Sequence, residues 1–178
     1  MIVKAISHKS IKKSSIKKLI TYVFNPDKMK DTQKGSEPLI VKQFIRGYDK
    51  NKWASTFKKN DNARTFQHSR RTVLRHEIIS FAPKSSQYLT REKLKILAKY
   101  YLKYRSPHSM GVATVHYDKS PHIHFIISGV DIEGNSTRVS RKEFKAFKIK
   151  LQKFQEQEFP ELSVSIVDHS KKKASALN

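Results

Sequence analysis

Two apolar segments rich in β-branched residues, Met110–Tyr117 (MGVATVHY) and His122–Ser128 (HIHFIIS), sit almost back to back in the sequence. A short turn between two such runs predicts a β-hairpin, and a hairpin commits the chain to antiparallel pairing. Side chains alternate between the faces of a strand. Val112, Thr114, His116 and Asp118 therefore share one face of the first strand, and His122, His124, Ile126 and Ser128 share one face of the second. Three of the eight histidines are placed here. If His116 lies opposite His122 or His124, which requires an odd-length turn, all three rings project from one side. Opposed Cβ atoms lie about 5 Å apart, close enough for three imidazoles to converge on one divalent cation. Three neutral imidazoles leave coordination positions open, as a catalytic metal site requires. Imidazole suits Zn²⁺, Ni²⁺, Co²⁺ and Mn²⁺, and a phosphate-bearing substrate permits Mn²⁺ or Mg²⁺.

The remaining elements are consistent with such a sheet. Met1–Ser7, Leu39–Ile45 and Val73–Ala82 (VLRHEIISFA) read as strands, the last stopped by Pro83. Ser14–Asn25 reads as a helix ended by Pro26. Asn51–Gln67 is polar and only weakly helical. Thr90–Tyr104 is an amphipathic helix with Thr90 as its N-cap. Ser140 and Glu143 form a capping-box pattern that opens a helix running to about Phe159. Leu162–Val167 reads as a last strand, followed by a frayed basic tail, SKKKASALN. The mixture predicts an α+β fold, an antiparallel sheet with helices packed on it.

Charge narrows the partner. Lys and Arg number 37 against 15 Asp and Glu, a formal net charge of +22 in 178 residues. That excess exceeds what solubility needs and suits a phosphate-rich ligand. The competing ligand is an anionic membrane surface. No apolar run approaches a bilayer span, no segment resembles a signal peptide, and the absence of Cys excludes disulfides and thiolate metal sites. A cytoplasmic protein is expected.

Three segments resemble one family. HYDKSPHIH (116–124) is similar to the third motif of mobilisation relaxases, HUH endonucleases that nick single-stranded DNA with the help of a metal. His122–Ile123–His124 matches the HUH element and His116 the additional upstream histidine. SIKKLITYVFNPDK (15–28) is similar to the first motif of plasmid mobilisation relaxases, a helix bearing the nucleophilic tyrosine, and RHEIISFAP (75–83) resembles the strand motif between them. The resemblance covers roughly residues 1–170 and leaves 171–178 as a basic tail or the start of a linker. Related replication initiators and transposases carry their tyrosine after the HUH pair; here the last tyrosine is Tyr117, so Tyr22 fits the relaxase order.

The helical geometry supports that choice. Ile16, Leu19, Ile20, Val23 and Phe24 form an apolar stripe, and at about 100° per residue Tyr22 lies roughly 130° from its centre, on the polar side with Ser15 and Lys18. Tyr48, Tyr88, Tyr100, Tyr101 and Tyr104 remain alternatives, as does His8 for a branch that uses a histidine nucleophile.

The resemblance implies a relaxase palm, with the histidines on one face of a central antiparallel sheet and helices on the other. It implies that Tyr22 attacks a phosphodiester, forms a 5′-phosphotyrosyl link and can rejoin the strand without ATP. His116, His122 and His124 would hold Mn²⁺ or Mg²⁺, with Zn²⁺, Ni²⁺ and Co²⁺ as alternatives. Asp118 is expected to orient a ligand histidine as an outer carboxylate. Glu77 is a second candidate for that role or for metal contact, although it shares a face with Ile79 and Phe81. His76, pointing the other way, is expected to be structural or a DNA contact.

Lys17, Lys18, Lys58, Lys59, Arg70, Arg71, Arg75 and Arg141 are expected to bind DNA, with Trp53, Phe57 and Phe66 stacking on bases in a groove. Arg64 belongs to the same middle segment, while Arg138 and Lys142, with Arg141 near the last helix's N-terminus, are expected to contact the DNA backbone. The implied partners are single-stranded DNA at an origin of transfer, accessory relaxosome proteins and a coupling protein. The sequence ends soon after the nuclease domain, as expected of a minimal relaxase or a fragment of one. Two other readings predict different outcomes. A noncatalytic basic DNA-binding protein would ignore chelator, and a hydrolytic metal nuclease using water would survive Tyr22→Phe.

Overall fold

In the computed structural model, residues 1–30, 37–118 and 120–165 are described. Five strands, β1 (Ile2–His8), β2 (Ile40–Gln43), β3 (Leu74–Ser80), β4 (Ser109–His116) and β5 (His122–Asp131), form one sheet in the order β1-β3-β5-β4-β2. Every neighbouring pair is antiparallel. The predicted hairpin is β4–β5, and it sits inside the sheet, flanked by β3 and β2.

Five helices accompany the sheet: α1 (Lys13–Val23), α2 (Pro26–Met29), α3 (Lys50–Asn62), α4 (Arg91–Arg105) and α5 (Arg141–Glu158). Local chemistry sets their starts. Asn25 accepts from the Asp27 amide at 3.0 Å ahead of Pro26, whose fixed φ suits the first helical position. Asp49 accepts from Asn51 at 2.8 Å. Thr90 caps α4 as expected, accepting from the Lys93 amide at 3.3 Å. The Ser140–Glu143 capping box closes in both directions, at 3.1 and 2.6 Å.

Alternation divides the sheet into two apolar faces. Ile79, Ala113, Val115, Ile123, Phe125 and Ile127 pack against Leu94, Leu97, Ala98, Tyr101 and Leu102 of α4 and Leu151 of α5. Leu74, Val112 and Ile126 face the other way, against Ile16, Leu19, Ile20 and Val23 of α1 and Trp53, Ala54 and Phe57 of α3. Helices therefore cover both faces, where the resemblance implied one. The histidine face is only partly covered: on β1, Ile2 and Ile6 remain 51% and 48% exposed.

Two expectations are corrected. Asn51–Gln67, expected to be only weakly helical, holds through Asn62 the well-packed helix α3, whose Trp53 and Phe57 are fully buried. Both aromatics belong to the core and are closed to bases. The buried side chains 53, 54, 57, 60 and 61 recur at helical spacing within an otherwise polar sequence. Leu162–Val167 is not a strand through its described part: Pro160–Ser165 forms 3₁₀ turns. Leu162 and Ser165 are buried three residues apart, a turn period rather than a strand period. Pro160 favours that turn, and Gln155 Nε2 donates to the Leu162 carbonyl at 3.2 Å. Residues 166–167 and the tail at 171–178 lie outside the described residues. None of the described helices is long and apolar enough to cross a membrane.

Candidate active site and metal centre

The hairpin register brings the three histidines together. His116 pairs directly with His122, and Thr114 pairs with His124, so all three rings leave the same face. Five residues, 117–121, join the paired positions, the odd number the register requires. Ring centroids lie 5.3 Å apart for His116–His122, 4.0 Å for His116–His124 and 4.8 Å for His122–His124. One nitrogen from each ring falls within 4.8 Å of the other two.

The second nitrogen of each ring fixes its tautomer. His116 Nε2 donates to the Val23 carbonyl at 2.6 Å, and His122 Nδ1 donates to the Ser120 carbonyl at 2.9 Å. A carbonyl only accepts, so these nitrogens carry the protons and leave His116 Nδ1 and His122 Nε2 as lone-pair donors. His124 Nδ1 lies 2.7 Å from His76 Nε2, and its own Nε2 is buried with no partner among the described residues. A buried polar nitrogen without a partner is costly, and here it faces the other two rings. With Nδ1–H donating to His76, His124 Nε2 becomes the third lone-pair donor.

Burial favours the neutral, ligating form of His116 and His124. Desolvation, reinforced by the neighbouring imidazoles and Lys28, lowers the His124 pKa from 6.5 to about 2. Desolvation also lowers His116 and takes His76 to about 4. Three convergent imidazoles with directed lone pairs, one of them on an orphaned nitrogen, fit a divalent cation.

Tyr22 stands beside this cluster. It projects from α1 away from the buried stripe, is 52% exposed, and meets His76 edge to face at a centroid distance of 6.3 Å. Lys28 Nζ lies 4.4 Å from the Tyr22 ring centre. The next residue, Val23, supplies the carbonyl that holds His116. The end of α1 therefore positions the tyrosine and a ligand histidine in consecutive residues. The alternatives are placed differently. Tyr101 is buried on the other face, while Tyr100 and Tyr104 lie against each other on α4 with their rings tilted. His8, on β1, approaches His76 at 6.1 Å, but its Nε2 is buried.

Two predicted carboxylates are corrected. Glu77 lies on the opposite face of β3 from the histidines and is fully buried. It accepts from Tyr101 Oη at 2.7 Å and from Arg105 at 2.8 Å, an interior ion pair that ties the sheet to α4. Asp118 does not orient a ligand ring, because the outer nitrogens bond Val23, Ser120 and His76. Its Oδ1 lies 3.9 Å from His122 Nε2, on the ligating side of the ring. There it places a carboxylate beside the nitrogens that could hold a cation.

The contact of His76 with His124 is the feature of the cluster that the sequence did not reveal. The alternation of His76 away from Glu77 was legible, but its partner was not. Only the insertion of β3 beside β5 sets it against His124.

The basic residues divide. Lys17 and Lys18 are exposed on α1, and Lys59 is exposed with Lys58 half-buried on α3. Arg71 is bound to Asp61, as is Arg64, at 3.0 Å each. Arg75 is 7% exposed and directed away from the histidines. Arg70 is exposed, and Arg141 opens α5, the helix packed on the opposite face.

The model of the family "Relaxase: MobA/VirD2-like, nuclease domain" matches residues 22–158. Among solved structures, the chain is similar to a Mn-bound MobM relaxase domain (MOBV; Mob_Pre) with 22 nt of plasmid pMV158 oriT DNA at pH 4.6. The TM-score is 0.64 at 15% identity, over 99% of this chain and 94% of that chain. A Mn-bound complex of MobM with a 22-nt 3′-thiophosphate oriT DNA gives 0.64 at 13% identity, covering 99% and 93%. A complex with 26 nt gives 0.56 at 15%, covering 100% and 96%. At these identities the likeness is one of fold. Comparison with curated protein sequences gives no match.

Proposed function

The chain belongs to the MobA/VirD2-like relaxase nuclease family, and we propose that it nicks and rejoins one DNA strand at an origin of transfer through Tyr22. The supporting observation is the end of α1, where the Tyr22 ring meets His76 beside the histidine cluster while the Val23 carbonyl fixes His116. His116 Nδ1, His122 Nε2 and His124 Nε2 would hold the divalent cation, with Mn²⁺, the ion bound in the MobM complexes, as first choice. When bound, that ion supplies Lewis-acid stabilisation of charge on the phosphoryl oxygens.

The protein's own groups account for the rest. The Tyr22 Oη–phosphorus bond forms as the phosphorus–O3′ bond breaks, the phenolic proton is lost and O3′ gains one. A 5′-phosphotyrosyl intermediate results. Lys28 Nζ, 4.4 Å from the Tyr22 ring centre, puts a positive charge beside the attacking group. His76, held neutral, keeps the His124 tautomer that aims Nε2 inward. The link conserves a phosphodiester, so the freed 3′-OH can attack it and reseal the strand.

The exposed strip of Ile2 and Ile6 on β1 shares the histidine face and offers unpaired bases an apolar floor. Lys17, Lys18, Lys58 and Lys59 neutralise phosphates along the strand. A plasmid substrate places the reaction in the bacterial cytoplasm. The test uses labelled single-stranded origin DNA with Mn²⁺. Cleavage that EDTA abolishes, and resealing onto an added strand with a free 3′-OH, are expected. Cleavage that never reseals and persists in Tyr22→Phe would assign the attack to water.

A further inference from the structure

Far from the histidines, the sheet ends in a second site. Along β3 and β5, Ser80 pairs with His122 while Leu74 pairs with Ser128. These pairs are six residues apart, about 20 Å at the strand rise. Beyond Leu74 opens a cleft of about 490 Å³. Its lining carries Lys9, Arg64, Arg70, Arg71, Arg75 and Arg138 and no carboxylate. Asp61 takes up Arg64 and Arg71 through 3.0 Å contacts. Arg75 has no carboxylate bonded to it, and Glu77, two residues on along the same face, offsets only part of the surrounding positive charge. Arg75 is 7% exposed, makes no ion pair among the described residues, and donates only to Thr137 Oγ1. Burial, then Arg105, presses its pKa down to about 10.

The walls are fixed in advance. Gly134, at φ +92°, turns the segment after β5, and its carbonyl accepts from both the amide and the hydroxyl of Thr65 at 3.0 and 3.1 Å. A Cβ at Gly134 would fall 2.7 Å from the Ala63 carbonyl oxygen. Phe66, 74% exposed, stands in the lining.

A buried guanidinium among like charges is costly to keep without an anion, and a bidentate fork matches phosphate oxygens. We propose that this cleft binds a backbone phosphate of the DNA, several nucleotides from the scissile one, with Arg75 and Arg138 on the phosphate and Phe66 stacked on a base. The identification of the ligand as DNA rests on the relaxase reading; the phosphate chemistry does not. The cleft would anchor the strand at a second point, so that register along the DNA is set from two places.

The test uses metal-free full-length protein. Inorganic phosphate should raise the melting temperature above that in chloride at equal ionic strength, with saturation. Arg75→Met should abolish this phosphate-specific rise. Arg138→Gln, a change at the rim, gives the same comparison if Arg75→Met does not fold. A phosphate response no larger than that to chloride, or one retained in both variants, overturns the site. The second arm measures binding of single-stranded DNA lengthened one nucleotide at a time. Wild type should show a step in affinity at one length, and its log affinity against log salt should become steeper there by about 0.7. Arg138→Gln should lack the step. Phosphate binding with no step at any length would assign the site to free phosphate or a mononucleotide and overturn the DNA assignment. Failure of nicking alone would overturn the relaxase chemistry and leave the anion arm readable.

Discussion

At the scale of single residues, the site rests on three outer contacts that fix three imidazoles: Val23, Ser120 and His76. Two are main-chain carbonyls and cannot be removed by mutation, so His76 is the one that can be tested. His76→Ala should weaken Mn²⁺ binding roughly 10–100-fold, the usual effect of losing such a partner. His76→Asp, which restores an acceptor for His124 Nδ1–H, should recover much of it, as read by calorimetric titration. Protonation gives a second test. The folded chain holds His76 near 4 and His124 near 2, against 6.5 unfolded. Below pH 6.5 the unfolded chain therefore binds protons that the folded chain refuses, and metal-free stability falls as pH drops from 6.5 toward 4. Denaturant titration across that range should show the decline.

At the scale of elements, legibility followed periodicity. The β4–β5 hairpin and the shared histidine face could be read because alternation is strict and the turn short, while the choice of His122 over His124 as the partner of His116 came only with the structure. Thr90 and the Ser140–Glu143 box were legible because their chemistry is local. What was missed depends on neighbours. The sequence does not say that β3 lies against β5, so His76 had no visible partner and Glu77 looked available. In α3 the lysines and asparagines masked the buried stripe. Trp53→Ala should cost about 3–5 kcal/mol by emptying core volume against Phe24. Thermal melting should show this loss, whereas a solvent-facing stacking residue would leave stability nearly unchanged.

At the scale of the whole molecule, the +22 charge predicts salt-sensitive binding, while the distribution of charge decides where DNA runs. Composition made the partner class legible. It could not show that some cations are spent inside the fold, as with Arg64 and Arg71 on Asp61 and Arg105 on Glu77. Lys17 and Lys18, exposed on α1, are among the cations proposed to meet the strand. Replacing Lys17 and Lys18 together by Gln should make the slope of log affinity against log salt shallower by about 1.4, two contacts at about 0.7 each for single-stranded DNA. Fluorescence anisotropy at several salt concentrations measures it.

The central claim, that Tyr22 joins covalently to DNA beside the histidine cluster, is tested most directly by mapping the adduct. The protein is incubated with origin single-stranded DNA and Mn²⁺, denatured, digested with nuclease and protease, and the peptides weighed. The account predicts a nucleotide mass on the peptide carrying Tyr22, absent with EDTA and absent in Tyr22→Phe. An adduct on another tyrosine or on His8, or cleaved DNA with no adduct at all, would contradict it.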